Sequence, residues 1–248
     1  MKLLNAGRPG EHSMGVIVPS SNRVVERVTE DVLSFFPQID ACYARVSYWG
    51  RGNGQPAIGY DEESFLGAAE LLSHAEPSVI IWNGTRASAF DFDLDRQLCE
   101  EVMRRFGIRA DTTSLATLDV FRTFNVRRVA LVTGGPLDYI DRIVDNFEKA
   151  GVEVVSQLRL GEFGNADYAK LDVTPIFNFC LNDALVAGPD AILVWSTNLP
   201  GHGVVAEVEK LTGIPVFDSA AIGVWAGLRE VGVDSSPVAV RGRLFAGK

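Results

Sequence analysis

Four short segments of the chain are almost wholly apolar and rich in β-branched residues: MGVIVPS (14–20), SVIIW (78–82), RRVALVTG (127–134) and DAILVW (190–195). Continuous hydrophobicity over a few residues, without polar alternation, suits strands covered on both faces in a parallel sheet. Between them the period changes. Val24, Val25, Val28, Val32, Phe35 and Phe36 recur at helical spacing. The first half of the chain reads as strands over 14–20, 40–48, 78–82 and 108–113, alternating with helices over 22–36, 61–75, 91–107 and 113–126. Gly107 stands where a helix C-cap belongs. The second half repeats the order, with strands over 127–134, 152–161, 190–195 and 214–219 and helices over 136–151, 174–188, 202–213 and 220–232. Such alternation predicts right-handed βαβ units and parallel sheets.

The repeat has a nearly constant offset. Trp82 and Trp195 lie 113 positions apart, Val16 and Ala130 114, and Gly107 and Gly213 106. FGIRADTTSLATLDVFRTFNV and TGIPVFDSAAIGVWAGLREVGV follow the same course of Gly-Ile, short strand, Ser/Thr cluster and amphipathic helix. The expectation is an α/β protein of two pseudo-symmetric lobes, each a four-stranded parallel sheet flanked by helices. The first lobe is expected over 1–122 plus 222–248, the second over 123–221. In open parallel sheets ligands bind beyond the carboxyl ends of the strands, so the expected site is the cleft between the lobes.

Five strand ends carry small polar groups: Pro19-Ser20-Ser21-Asn22, Asn83-Gly84-Thr85-Arg86, Thr133-Gly134-Gly135, Ser196-Thr197-Asn198 and Asp218-Ser219. Each precedes an expected helix, where free N–H groups and the helix dipole favour an anion. Any one of them is satisfied as an N-cap. Five at one sheet edge point to a carboxylate cleft of mainly neutral donors. His202 follows one of these ends and is a candidate for chemistry, and Asp218 closes another.

Composition narrows the partners. The 248 residues carry a net charge of −9 and no basic stripe, which argues against nucleic acid. Phosphate-loop and dinucleotide fingerprints are missing, and Arg51-Gly52-Asn53-Gly54 lacks the strand–helix context they require. Cys42, Cys99 and Cys180 are scattered, and the three histidines are isolated, so no metal site is expected. The N-terminal stretch has no apolar signal region, and no apolar run reaches the roughly 20 residues that span a bilayer. The expectation is a cytoplasmic protein without cofactor or membrane partner. Its apolar content is compatible with a homo-oligomer.

GVIVPSSN, the Gly-Thr after the third strand, DAILVWSTNL and GIPVFDSAAIGVW together resemble the aspartate/glutamate racemase superfamily, in the branch of maleate cis–trans isomerase and arylmalonate decarboxylase. The resemblance runs from about Met14 to Gly232. It implies two four-stranded parallel lobes related by a pseudo-twofold axis, no cofactor, and a small carboxylate or dicarboxylate bound between them. It assigns Asn22 and Asn165 to a substrate carboxylate, and Thr85 and Arg86 to binding donors beside it. The family tyrosine after the first strand of the second lobe falls near Gly135, with Tyr139 close by. Racemases of the superfamily use two thiols and decarboxylases one, while isomerases need the first. In this chain the two thiol positions fall on Gly84 and Ser196. A thiolate forms readily near neutral pH, whereas a serine needs an adjacent base; Asp218 and His202 are the candidates for it.

The readings are an isomerase- or decarboxylase-like enzyme with Ser196 in the thiol's place, a non-catalytic carboxylate-binding or regulatory protein that kept the cleft, or a thiol-independent lyase or hydratase on the same scaffold. Thr197, Asn198, Pro19, Ser21 and Asn83 complete the expected binding wall. Arg86 supplies a fixed positive charge for a second carboxylate.

Overall fold

The computed structural model of the chain describes residues 8–48 and 54–247. The first seven residues and the Arg51-Gly52-Asn53 part of the Gly/Pro-rich loop lie outside the described residues. Two four-stranded parallel sheets are flanked by helices.

The first half runs β1 (His12–Pro19), α1 (Val24–Leu33), β2 (Ile39–Val46), α2 (Glu62–Ser73), β3 (Val79–Trp82), α3 (Phe92–Phe106), β4 (Ala110–Thr112) and α4 (Thr113–Phe124). The second runs β5 (Arg128–Thr133), α5 (Leu137–Lys149), β6 (Glu153–Arg159), α6 (Asn165–Tyr168), α7 (Thr174–Leu181), α8 (Asp183–Ala187), β7 (Ala191–Trp195), α9 (Val205–Thr212), β8 (Val216–Asp218) and α10 (Ser219–Glu230). A short α11 (Arg243–Ala246) follows. The strand orders β2-β1-β3-β4 and β6-β5-β7-β8 are the same topology twice. Ile17 pairs with Trp82 in one sheet and Thr133 with Trp195 in the other. The matched glycines cap matched helices: Gly107 closes α3 at φ 68° and Gly213 closes α9 at φ 72°, a left-handed conformation that costs glycine nothing.

Several segments depart from the sequence pattern, among them α6 (Asn165–Tyr168) and a 3-10 turn over Arg86–Ala89, where the pattern predicts no element. The stretch 174–188 is two helices, because Asn182 leaves helical geometry at φ −125°, ψ −84°. Its side-chain amide donates to Asn178 O (2.7 Å), a local bond that competes with the helix. The segment before α9 starts as a 3-10 turn over Gly201–Val204. The chain after Gly232, where the pattern predicts no element, forms a 3-10 turn over Ser236–Arg241 and then α11.

All residues of β3 and β7 are buried. One apolar core crosses from sheet to sheet: Val16 and Val18 of β1, Leu131 of β5, Trp195 of β7 and Phe217 of β8 belong to a single cluster. α10 leaves β8 of the second sheet and packs on α1 and α4, which belong to the first half of the chain. Among the described residues no helix is long and apolar enough to cross a membrane, and no group of three or more His, Cys, Asp or Glu could hold a metal ion.

Candidate active site

Both sheets have their reversal of strand order at the inner pair, β1/β3 and β5/β7, and that is where a crevice forms. Pro19 at the end of β1, Gly84 and Thr85 after β3, Thr133 to Gly135 at the end of β5, and Ser196 and Thr197 after β7 all border one cavity of about 410 Å³. That size suits a small ligand.

The end of β3 and the end of β7 supply donors. The backbone N–H groups of Gly84 and Thr85, and the hydroxyl of Thr85, have no protein partner among the described residues. The Ser196 hydroxyl accepts from Asn198 N–H (3.4 Å), which leaves its own proton free to donate. Ser196 N–H in turn donates to Ser219 Oγ (3.3 Å), which ties the serine to the start of α10. An acid placed here meets neutral dipoles, the kind of preorganised environment that stabilises charge without being titrated.

Several of the polar residues expected at the cavity wall join the two halves at its rim. Asn22 is buried; its carbonyl oxygen accepts from Val24 N–H (2.9 Å) and Val25 N–H (3.0 Å), capping α1, and its amide donates to Thr197 Oγ1 (3.0 Å) across the cleft. Asn198 accepts from Arg23 N–H (3.0 Å) and donates to Asn165 O (2.5 Å). The Asn165 amide, which does border the cavity, donates to Ser21 Oγ (2.8 Å), and Ser21 donates to Tyr48 O (2.6 Å). Asn83 turns away from the cavity: it donates to Ala220 O (3.0 Å) and accepts from Thr113 Oγ1 (3.1 Å).

Asp218 and His202 lie outside the cavity lining. Asp218 is the N-cap of α10, accepting from Ala221 N–H (3.1 Å), and burial pushes its carboxyl up to about 6. His202 Nε2 lies 3.2 Å from Asp31 Oδ2. Among the described residues, therefore, no imidazole and no thiol borders the cavity. Cys99 and Cys180 lie elsewhere, and burial raises both thiols, Cys180 to about 11.

Arg86 is only 6% exposed and borders the cavity. Its Nε–H donates to Gly59 O (3.0 Å) and one terminal nitrogen donates to Pro56 O. It makes no ion pair among the described residues. Its guanidinium lies against the Phe90 ring, 4.7 Å from the centroid, and near that of Tyr48, at 5.9 Å. Tyr48, Phe90, Tyr139 and Arg142 are cavity residues that strand-end reasoning passes over, since they sit on loops and on the first turns of α5. Only Tyr139 carried a sequence signal, through its nearness to Gly135. Its hydroxyl has no protein partner among the described residues, and burial raises its pKa.

The Gly84 position is closed to a side chain. A Cβ there would lie 2.5 Å from Cε2 and 2.7 Å from Cη2 of Trp82, and closer still to Cζ2. Trp82 is 3% exposed, stacks edge-on against Phe65 (4.7 Å, 88°) and donates its indole N–H to the Tyr60 hydroxyl (3.1 Å). Tyr60 donates in turn to buried Asp95 (2.5 Å), whose carboxyl burial raises to about 6. The indole fills the floor of the cavity beneath Gly84.

A family model for arylmalonate decarboxylase matches residues 35–245. The chain belongs to the arylmalonate decarboxylase family. The arylmalonate decarboxylase of Bordetella bronchiseptica is 28% identical over 242 residues, covering 94% of this chain and 96% of the relative. A crystal structure of a liganded arylmalonate decarboxylase variant, with one glycine changed to cysteine and one cysteine to serine, superposes with a TM-score of 0.82. It is 25% identical and covers 94% of this chain and 98% of its own. The maleate cis–trans isomerase of Nocardia farcinica shares the fold, with a TM-score of 0.81 at 21% identity over 95% of this chain and 98% of its own. The resemblance read from the sequence motifs and these matches agree on the branch of the superfamily.

Proposed function

We propose that this member of the arylmalonate decarboxylase family is a cofactor-independent enzyme acting on a small carboxylic acid in the interlobe cavity. The observation that carries the reading is the convergence of unpartnered neutral donors, the Gly84 and Thr85 N–H groups with the Thr85 and Ser196 hydroxyls, on one cavity of about 410 Å³. A substrate carboxylate held on them takes up the electron pair as the bond from its α-carbon to a second carboxylate on that carbon breaks. The donors then strengthen as charge builds on its oxygens. In a decarboxylation, carbon dioxide leaves and a proton is returned to the α-carbon.

Ser196 is read as the group that stands in the thiol position, with its free hydroxyl proton directed to the substrate. The crystallised relative's variant replaced a cysteine by serine and a glycine by cysteine. With the two thiol positions at Gly84 and Ser196, this chain combines a glycine at the first with a serine at the second.

A second reading has its own support. Neither candidate base borders the cavity with Ser196, since His202 lies against Asp31 and Asp218 caps α10. A serine without a base is a weak catalyst. That favours a protein that binds a small acid without converting it.

One proton-NMR experiment in deuterium oxide separates the readings, with phenylmalonate and maleate as probes. Product or α-deuteration that disappears in Ser196→Ala supports the enzyme. Line broadening of the acids with neither supports the binder. No interaction with any acid removes both.

A further inference from the structure

The turn that follows the Thr85 donors is held from the other half of the chain. It runs over Arg86–Ala89 and is buried throughout. Ser88 is its pivot, fully buried and outside the cavity lining. Its hydroxyl donates to Thr85 O (2.6 Å), and its N–H donates to the same oxygen (3.3 Å). The Trp195 indole N–H, from β7 of the second sheet, donates to the Ser88 hydroxyl (3.0 Å). Asn146 of α5 donates from its amide nitrogen to Ser88 O (2.9 Å) and to Phe90 O (3.0 Å). An indole N–H can only donate, so it fixes the rotor of the hydroxyl it meets and leaves that proton for Thr85 O. Hydrogen bonds in such a chain polarise one another. Trp82, the counterpart of Trp195 in the first sheet, donates instead to Tyr60 within its own half. The indole contacts are therefore asymmetric: one stays at home, and the other grips the opposite wall.

We infer that Trp195, Ser88 and Asn146 are positioning residues, which set the Thr85 peptide and with it the spacing between the donors after β3 and the Ser196 hydroxyl after β7. This rests on the small-carboxylate reading and adds to it the groups that hold its donors in register. Trp195 directly precedes Ser196, so the strand end that presents the serine also braces the wall facing it. Ser88 and Asn146 border no part of the cavity, so their influence on a ligand runs through the turn. A carboxylate has to meet donors from both walls at hydrogen-bond distance. A misplacement of about an ångström in such a constellation costs about 100-fold in rate.

The test compares Ser88→Ala and Asn146→Ala with the parent by NMR titration, with phenylmalonate and maleate as probes, at a temperature where circular dichroism shows each protein folded. Val208→Ala is the control for a merely structural effect. It truncates a fully buried side chain on α9, in a core cluster separate from that of Trp195 and away from the cavity lining. The expected result is an affinity about tenfold weaker in both Ser88→Ala and Asn146→Ala. The shifts of the Gly84 and Thr85 amide resonances on adding acid should shrink with it, while Val208→Ala loses stability and keeps the parent's affinity. Asn146 is only half-buried, so its variant decides the matter if Ser88→Ala does not fold. An unchanged affinity in Asn146→Ala, or an equal loss in Val208→Ala, overturns the inference and leaves the small-carboxylate reading standing. A parent that binds neither acid overturns that reading, and the inference falls with it.

Discussion

Placing a methyl group on Gly84 is expected to damage the fold well beyond an ordinary glycine-to-alanine change. The new Cβ would sit 2.5–2.7 Å from two indole carbons of Trp82 where about 3.4 Å is needed, so the ring has to retreat by about an ångström. It has nowhere to go, being packed against Phe65 and held by the Tyr60 hydroxyl. Overpacking of this kind costs about 1–3 kcal/mol, and a pinned ring places Gly84 at the upper end. Loss of glycine's freedom in the unfolded chain offsets about 0.4–1 kcal/mol of that. The net expectation for Gly84→Ala is a loss of about 2 kcal/mol, or about 4–8 °C in Tm for a chain of this size. Thermal and urea unfolding followed by circular dichroism measure it. In a Trp82→Leu background the obstruction is gone, and the same alanine should cost nothing or stabilise slightly, giving a coupling of about 2 kcal/mol in the double-mutant cycle. A Gly84→Ala protein whose stability matches the parent's, or an equal loss in both backgrounds, would refute the account of the cavity floor.

Three further outcomes follow from the same geometry. Asn22→Ala removes a double cap of α1 and a bond across the cleft from a buried position, and should cost about 2–3 kcal/mol. Thr197→Val, which breaks only the second, should cost about 1 kcal/mol, with strong non-additivity between the two in chemical denaturation. Asp218 is buried and its folded pKa of about 6 lies above the unfolded value. Its folded state therefore holds the proton more tightly, and the stability it contributes is present at pH 4 and lost as pH rises through 6. Asp218→Asn keeps a capping oxygen without the titration, so its stability relative to the parent should climb by about 3 kcal/mol between pH 4 and 8. A pH-independent difference counts against the assignment. Ser196→Cys should create a thiol that iodoacetamide labels near neutral pH, mapped by peptide mass spectrometry, while Cys99 and Cys180 stay unlabelled because burial raises both. An introduced thiol as inert as that of Cys180 would show that the strand end is not open to the cavity.

The twofold repeat was readable because buried parallel strands announce themselves as short β-branched runs and because Gly107 and Gly213 mark the same helix end twice. Strand ends were readable for the same reason, which brought Gly84, Thr85 and Ser196 into view. What each side chain does there was not. Asn22, Asn83 and Asn198 have the same composition as donors awaiting a ligand, yet their amides are already taken up in capping and in joining the rims, and only tertiary neighbours decide between the two uses. Phe90 and Arg142 belong to no periodic pattern, so nothing local distinguished them from ordinary loop and helix-surface residues, and Tyr139 stood out only through its nearness to Gly135. The obstruction at Gly84 comes from a residue two positions earlier in the chain, and a pattern of letters does not tell which way an indole lies.

The crossing of α10 from the second sheet onto α1 and α4, over a core that both sheets share, has a consequence for how a ligand comes and goes. Two jaws joined by a continuous interior cannot swing apart about a hinge without exposing that interior to water. Exchange has to proceed through the mouth of a standing cavity, by movement of side chains and loops at its edge. Such a receptacle forfeits little freedom on capture, so the affinity it delivers reflects its chemistry more than the cost of closing. It also means that neither half of the duplicated chain, produced alone, has a complete interior to fold around.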